Sequence, residues 1–351
     1  MQTARQVVYR RFDAQDPAGV FELGEVPVPE EVAPGEVLVR IAFALVHPCD
    51  AACAMGVVNG VELPAVGGLE ALGVIEKIGT ALTDRFEVGQ RVHVCGTHVF
   101  GRWKTWRGVW REYALCPPEA LIPVPDGVPD DIAAQLVVNI LTPYAMVKEM
   151  GIGPGDLLLQ TAAGSVLGQV MIQLGQAFGF TTVNVVRRQE TADMLTSRFG
   201  IDTVFVYDGT NASAAAAEKA IGERLAGTPI RFAIEAVSGQ TGRFCLDLVG
   251  PEAVVYFYGI LSGDLMVPVD VVSDLAMKNN TLKGWSIQET WMRKTPDEVK
   301  RRYIDELWEL IQEGKVTTPP LGERFPLERA GEAMTASFRQ DKPGKIVLVC
   351  T

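Results

Sequence analysis

From residue 157 onward the chain alternates short, uniformly apolar runs with segments of helical spacing, and no other feature of the sequence restricts its fold so strongly. The runs at 157–161, 181–186, 203–206, 232–237 and 254–259 have the length and apolar character of buried strands, the one at 203–206 being β-branched. Between them, 166–178 and 190–199 carry apolar residues at helical spacing and stop at Gly179 and Gly200, and a further helix is predicted at 242–249. Strands apolar on both faces, joined by helices, predict a parallel sheet covered on both sides: a doubly wound α/β domain.

Before residue 130 the grammar differs. Apolar runs at 6–9, 37–44, 72–78, 91–95 and 110–115 are cut by turn signals such as Pro34-Gly35, Val88-Gly89 and Asp126-Gly127, which predicts a compact β-barrel-like module. A helical stretch at 133–150 opens the α/β part. A helix at 297–313, a Pro-rich link and a terminal strand at 346–349 then return to the first module. The expected domains are therefore 1–126 with 293–351, enclosing 127–292.

At 351 residues and 48% apolar content the chain can bury a large core without disulfides. Its net charge of −11 and its lack of any cationic block argue against a nucleic-acid partner. No run approaches the roughly 18–20 apolar residues of a membrane span, and the opening MQTARQVVYRRF has no apolar h-region, so a reducing cytoplasm is the expected location. The six cysteines show no framework spacing and read as free thiols.

The turn after the first α/β strand reads Thr161-Ala162-Ala163-Gly164-Ser165-Val166-Leu167-Gly168. Small residues there let the amides at a helix start approach a pyrophosphate, and Gly168 allows helix and strand to pack closely, although the G-x-G-x-x-G pattern is incomplete. About 20 residues further on, an NAD-binding strand would end in an acid that holds the ribose hydroxyls. Here Arg187-Arg188 follow Val186. Guanidinium groups match the 2′-phosphate of NADPH, which makes NADPH the expected cofactor.

Other chemistries find little support. With only His47, His93 and His98, and with Cys49 and Cys53 spaced unlike metal ligands, no metal site is expected. Neither G-x-S-x-G nor H-E-x-x-H occurs. The segment FGRWKTWRGVWREY at 100–113 interleaves basic and aromatic residues; it reads as a clamp for a phosphorylated ligand or as a loop that packs through its tryptophans.

Taken together, His47-Pro48-Cys49-Asp50, Leu63-Pro64-Ala65-Val66-Gly67-Gly68, 119–125 (EALIPVP), Val138-Asn139 with Thr142 and Tyr144, 183–187 (VNVVR), Tyr258-Gly259, Lys283-Gly284-Trp285 and Lys345-Ile346-Val347-Leu348 carry a resemblance over nearly the whole chain. The sequence resembles the zinc-free branch of the medium-chain dehydrogenase/reductase superfamily, most closely the mitochondrial-type 2-enoyl thioester reductases. The resemblance implies a GroES-like barrel plus a Rossmann domain and NADPH-dependent reduction of an activated carbon–carbon double bond. It assigns the nicotinamide side to Asn139, the pyrophosphate to 164–167 and the 2′-phosphate to Arg187, Arg188 and Gln189. Thr142, Tyr258, Gly259, Trp285 and Lys345 would complete the cofactor pocket. Zinc-dependent relatives bear ligands near His47, after Gly68 and near 140, where this chain has His47, Leu69 and apolar residues.

One departure stands out: the reductases place a tyrosine proton donor shortly after the glycine matching Gly56, whereas this chain has no tyrosine between Tyr9 and Tyr113. Among the groups near that place His47 has the pKa best suited to donate a proton near neutrality. The expected activity is hydride delivery to an enoyl thioester or enone. Quinone reduction and a non-catalytic NADPH-binding role are the alternatives. A homodimer is expected, with 254–258 as a self-pairing edge strand.

Overall fold

A computed structural model of the chain describes residues 2–58, 60–96, 108–339 and 344–350. It divides into two compact units: Met1–Val138 with Met292–Gln312 and Thr318–Thr351, and Asn139–Trp291 with Glu313–Thr317. The first boundary falls later than the expected 126. The segment 127–138 is tied to the barrel unit by His93, whose Nδ1 bonds the Ala133 carbonyl, and by Glu70, which accepts from the amides of Val137 and Val138. Glu313–Thr317 belongs to the α/β unit because the Gln173 side chain bonds both the amide and the carbonyl of Thr317.

In the first unit, Leu321–Pro326, Lys345–Val349, Val37–Leu45, Glu70–Ile78, Arg91–Cys95 and Leu121–Pro123 lie side by side in that order, with Tyr113–Cys116 also pairing Val37–Leu45. The terminal strand does return, pairing antiparallel with Val37–Leu45 through Val347↔Leu45. A smaller sheet holds Glu22–Pro27, Thr3–Tyr9 and Ala65–Val66. Trp110 is fully buried and donates from Nε1 to the Leu45 carbonyl at 2.9 Å. Gly67 and Gly68 lie so close beneath its ring that a Cβ on either would fall within 2.4 Å of it. This tryptophan therefore anchors the barrel. Residues 97–107, which hold most of the basic and aromatic run, lie outside the described residues.

The second unit is a six-stranded, all-parallel sheet. Its order is Val204–Val206, Thr181–Val186, Leu157–Gln160, Phe232–Glu235, Val254–Phe257, Thr281–Gly284, the 3-2-1-4-5-6 arrangement of a dinucleotide-binding fold. This order corrects one expectation: Val254–Phe257 is internal, because Thr281–Gly284 pairs alongside it in parallel register and takes the edge. The aromatic run is apolar because it is covered on both sides, so it cannot pair with a second copy of itself.

Helix Val166–Phe178 starts at Ser165, whose hydroxyl accepts from the Gly168 amide, and stops at Gly179 in the left-handed region. Helix Gln189–Phe199 ends at Gly200 in the same way. The predicted helix at 133–150 is broken into Asp130–Ala133, a π-helical Leu136–Leu141 and Thr142–Met150.

Candidate functional site

In an open α/β sheet the ligand crevice lies beyond the carboxyl ends of the strands, where the order reverses. Here the reversal falls between Leu157–Gln160 and Phe232–Glu235. The turn after the first of these strands carries Ala162 at φ 51° and leads into Gly164 and Ser165. A Cβ on Gly164 would meet Thr191 Cγ2 at 2.5 Å, which the threonine must yield, and one on Gly168 would meet the Ala163 carbonyl oxygen at the same distance; that obstacle is backbone, so Gly168 demands glycine. A bare turn feeding the N-terminus of a 13-residue helix suits a pyrophosphate, because the first amides and the helix dipole point toward it. Val166 and Leu167 form that first turn.

Arg187 and Arg188 are exposed at the end of Thr181–Val186. A donor set of two guanidinium groups with no strand-end acid fits a ribose phosphate. Gln189 is exposed beside them, but its amide already bonds Asp193 Oδ1 at 2.8 Å, one helical turn along. Tyr258 and Gly259 close the fifth strand: the Tyr258 amide donates to the Glu235 carbonyl, and a Cβ on Gly259 would come within 2.5 Å of the Ala236 carbonyl. Trp285, after the sixth strand, is buried with its indole N–H donating to Glu149 Oε2 at 2.8 Å. Asn139 and Thr142 are buried on Leu136–Leu141 and on the first turn of Thr142–Met150.

The sequence reading missed Glu235. Fully buried at the end of its strand, its Oε1 accepts from Thr161 Oγ1 at 3.0 Å and the Val237 amide at 2.7 Å, and its Oε2 accepts from the Ser238 amide at 2.8 Å. Burial pushes its carboxyl pKa upward against the pull of these donors. An acidic residue after an apolar strand was visible in the sequence, but nothing there paired it with Thr161.

The first unit holds a second polar cluster. His47, only 1% exposed, precedes helix Pro48–Ala54 and places Nε2 2.8 Å from Glu70 Oε1. Glu70 Oε2 takes the amides of Val137 and Val138 at 2.9 and 3.0 Å, with His93 Nε2 3.5 Å away. Asp50 accepts from the His47 amide at 2.7 Å. Burial raises the Asp50 and Glu70 carboxyls, to about 7 and about 8, and lowers His93 to about 4. Lys345, buried on the terminal strand, has its ammonium lowered by burial while the charges of Cys49, Glu70 and Asp50 act to raise it. The structure thus places Lys345 with His47 and the buried acids in the first unit, and the remaining expected cofactor residues in the second. Among the described residues no three His, Cys, Asp or Glu side chains are arranged to hold a metal ion, Cys49 has its thiol pushed up by burial, and Leu69 cannot ligate; this donor set does not fit zinc.

A barrel unit followed by a 3-2-1-4-5-6 parallel sheet in one chain defines the medium-chain dehydrogenase/reductase class. The Alcohol dehydrogenase GroES-like domain family matches residues 33–126, and the Zinc-binding dehydrogenase family matches 199–348. The mitochondrial enoyl-(acyl-carrier-protein) reductase of Mus musculus is 30% identical over 95% of this chain and 86% of its own length. At that likeness the chain belongs to the enoyl-(acyl-carrier-protein) reductase family of the medium-chain dehydrogenases/reductases. Two solved structures share the fold over 99% of both chains: a quinone oxidoreductase of Pseudomonas syringae, at 22% identity and a TM-score of 0.80, and a mycobacterial protein complexed with NADPH, at 24% and 0.82.

Proposed function

We propose that this chain is an NADPH-dependent reductase that delivers a hydride to the β-carbon of an α,β-unsaturated acyl thioester or related enone. The observation that carries this reading is the exposed Arg187-Arg188 pair where an NAD-binding strand would end in an acid. The enoyl reductase relative supplies the substrate class, and the quinone oxidoreductase that shares the fold supplies a second electrophile to test.

In this reading Arg187 and Arg188 hold the 2′-phosphate, and the turn at 164–168 with its helix start holds the pyrophosphate. Asn139, Thr142, Tyr258 and Gly259 shape the nicotinamide end. Gln189 and Trp285 already bond Asp193 and Glu149, so they support neighbouring elements. Reduced nicotinamide supplies the hydride when bound. The α-carbon then needs a proton, and we assign its delivery to His47, whose imidazole shares a buried contact with the Glu70 carboxyl. Leu69 cannot ligate and burial keeps the Cys49 thiol from ionising readily, so we read the reaction as zinc-independent.

We further propose a homodimer in which the edge strand Thr281–Gly284 and the exposed apolar run at 260–277 meet a second copy. No helix among the described residues is long and apolar enough to cross a membrane. The six cysteines are free, which suits the reducing cytoplasm we assign, although the enoyl reductase relatives are mitochondrial.

NADPH consumption with crotonyl and longer enoyl thioesters, compared with quinones, tests the activity. Turnover of thioesters is expected. Turnover of quinones alone, or tight NADPH binding without turnover, would replace this reading with one of the two alternatives.

A further inference from the structure

Glu235 ends one of the two strands between which the sheet order reverses, Thr161 directly follows the other, and they are bonded to each other. Thr161 Oγ1 donates to Glu235 Oε1 and in turn accepts the Ala236 amide at 2.9 Å, so one hydroxyl links both turns. The carboxylate takes the next two amides, Val237 and Ser238. These bonds hold a strained residue: Ser238 sits at φ 69°, next to Gly239 at φ 58°, where glycine is unstrained, and the Ala236 carbonyl is the surface against which Gly259 packs. A non-glycine residue at positive φ is strained and persists only where its surroundings over-determine it. The backbone that would form the floor of the crevice is therefore fixed by one buried side-chain pair.

We propose that Thr161 and Glu235 are positioning residues for the cofactor: a clasp that sets the spacing of the turns at 161–164 and 236–239 and so pre-shapes the crevice for the dinucleotide. The proposal rests on the NADPH reading above. The hydrogen-bond arithmetic makes it specific, because Glu235 receives three donors and has no proton to offer them. In Glu235→Gln one end of the side chain becomes an NH₂ group, which must face a donor it cannot accept, so the turn has to move. Thr161→Val keeps the shape and removes the hydroxyl, while Thr161→Ser keeps the hydroxyl.

The test is NADPH affinity by titration, together with KM and kcat for NADPH, in the full chain and the three variants, each first shown by thermal unfolding to be folded at the assay temperature. Thr161→Val and Glu235→Gln should each raise Kd and KM for NADPH about tenfold, with kcat at saturating NADPH within about twofold of the parent. Thr161→Ser should restore wild-type values. Amide hydrogen exchange at Ala236, Val237 and Ser238 should speed up in Thr161→Val, with or without NADPH. A wild-type chain that binds NADPH, with Val and Gln variants that bind it equally well, would overturn the clasp and leave the cofactor reading intact. A wild-type chain that binds no NADPH would overturn the cofactor reading and the positioning role with it. Equal losses in Thr161→Ser and Thr161→Val would overturn the role of the hydroxyl.

Discussion

A Cβ built on Gly168 would lie 2.5 Å from the carbonyl oxygen of Ala163, so the first turn of helix Val166–Phe178 rests directly on the turn that feeds it. The obstacle is backbone and cannot rotate away. Gly168→Ala should cost about 1–3 kcal/mol of stability and weaken NADPH binding, because helix start and turn must separate. Urea unfolding and a cofactor titration on the same preparation check both. An unchanged unfolding midpoint would mean that the contact relaxes freely.

The two arginines at the end of Thr181–Val186 should set cofactor choice. Replacing both Arg187 and Arg188 by alanine should weaken NADPH about ten- to a hundredfold, the worth of charge-assisted phosphate contacts, and leave NADH affinity nearly unchanged. Equal affinities of the wild-type chain for the two cofactors would contradict the assignment.

The buried acids of the barrel predict a stability that falls as pH rises. Folding moves Glu70 from an ordinary value of 4.5 to about 8 and Asp50 from 3.8 to about 7, so the native chain binds more protons than the unfolded one over that interval. His93, lowered from 6.5 to about 4, has the opposite slope, which fades above 6.5 as the unfolded-state imidazole loses its proton. Lys345, lowered from 10.5 by burial, also has the opposite slope, one group against two carboxyls. Between pH 6.5 and 8 the carboxyls therefore dominate. Denaturation at the two ends of that window should show the wild type losing stability, with a flatter response in Glu70→Gln. Parallel slopes would mean that Glu70 does not carry the proton.

The proposed mechanism gives the proton delivery of the missing tyrosine to His47. If it donates the proton, His47→Asn should lower kcat on enoyl thioesters by about 10²–10⁴-fold with little change in NADPH affinity. Full activity in that variant would hand the proton to water.

How much of this was legible beforehand depended on the kind of signal. Helix Val166–Phe178 shows at both ends in the sequence, with Ser165 before it and Gly179 after it, because caps are local chemistry. Helix Asn211–Leu225 gave no such stripe: it buries only Ala217 and Ile221, and its best clue was Thr210, which caps the Ser213 amide. The glycine motif looked incomplete because Ala162 occupies a left-handed position that glycine would normally fill. The place of Val254–Phe257 inside the sheet depends on its pairing with Thr281–Gly284, and a buried strand and an apolar edge strand read alike until the neighbour is known. The contacts of Glu235 with Thr161 and of Glu70 with Val137 and Val138 join residues 67 to 74 positions apart, which no local pattern encodes.

With the aromatic strand internal, the proposed dimer contact falls to the edge strand Thr281–Gly284 and the run at 260–277. Leu265, Met266, Val271, Val272 and Met277 are 63–76% exposed within one short stretch. Light scattering should show a dimer for the wild type and a monomer for the double variant Met266→Glu, Val272→Glu. A monomeric wild type at micromolar concentration would remove the dimer from the account.

The central claim is hydride transfer from NADPH to an activated double bond, and the fate of a labelled hydride tests it most directly. The chain is incubated with crotonyl thioester and NADPH carrying deuterium at the transferable C4 position, and the product is read by NMR and mass spectrometry. The account predicts a saturated thioester with deuterium at the β-carbon and a solvent-derived proton at the α-carbon. Recovery of unlabelled crotonyl thioester with the NADPH unconsumed, or deuterium at any other carbon, would contradict it.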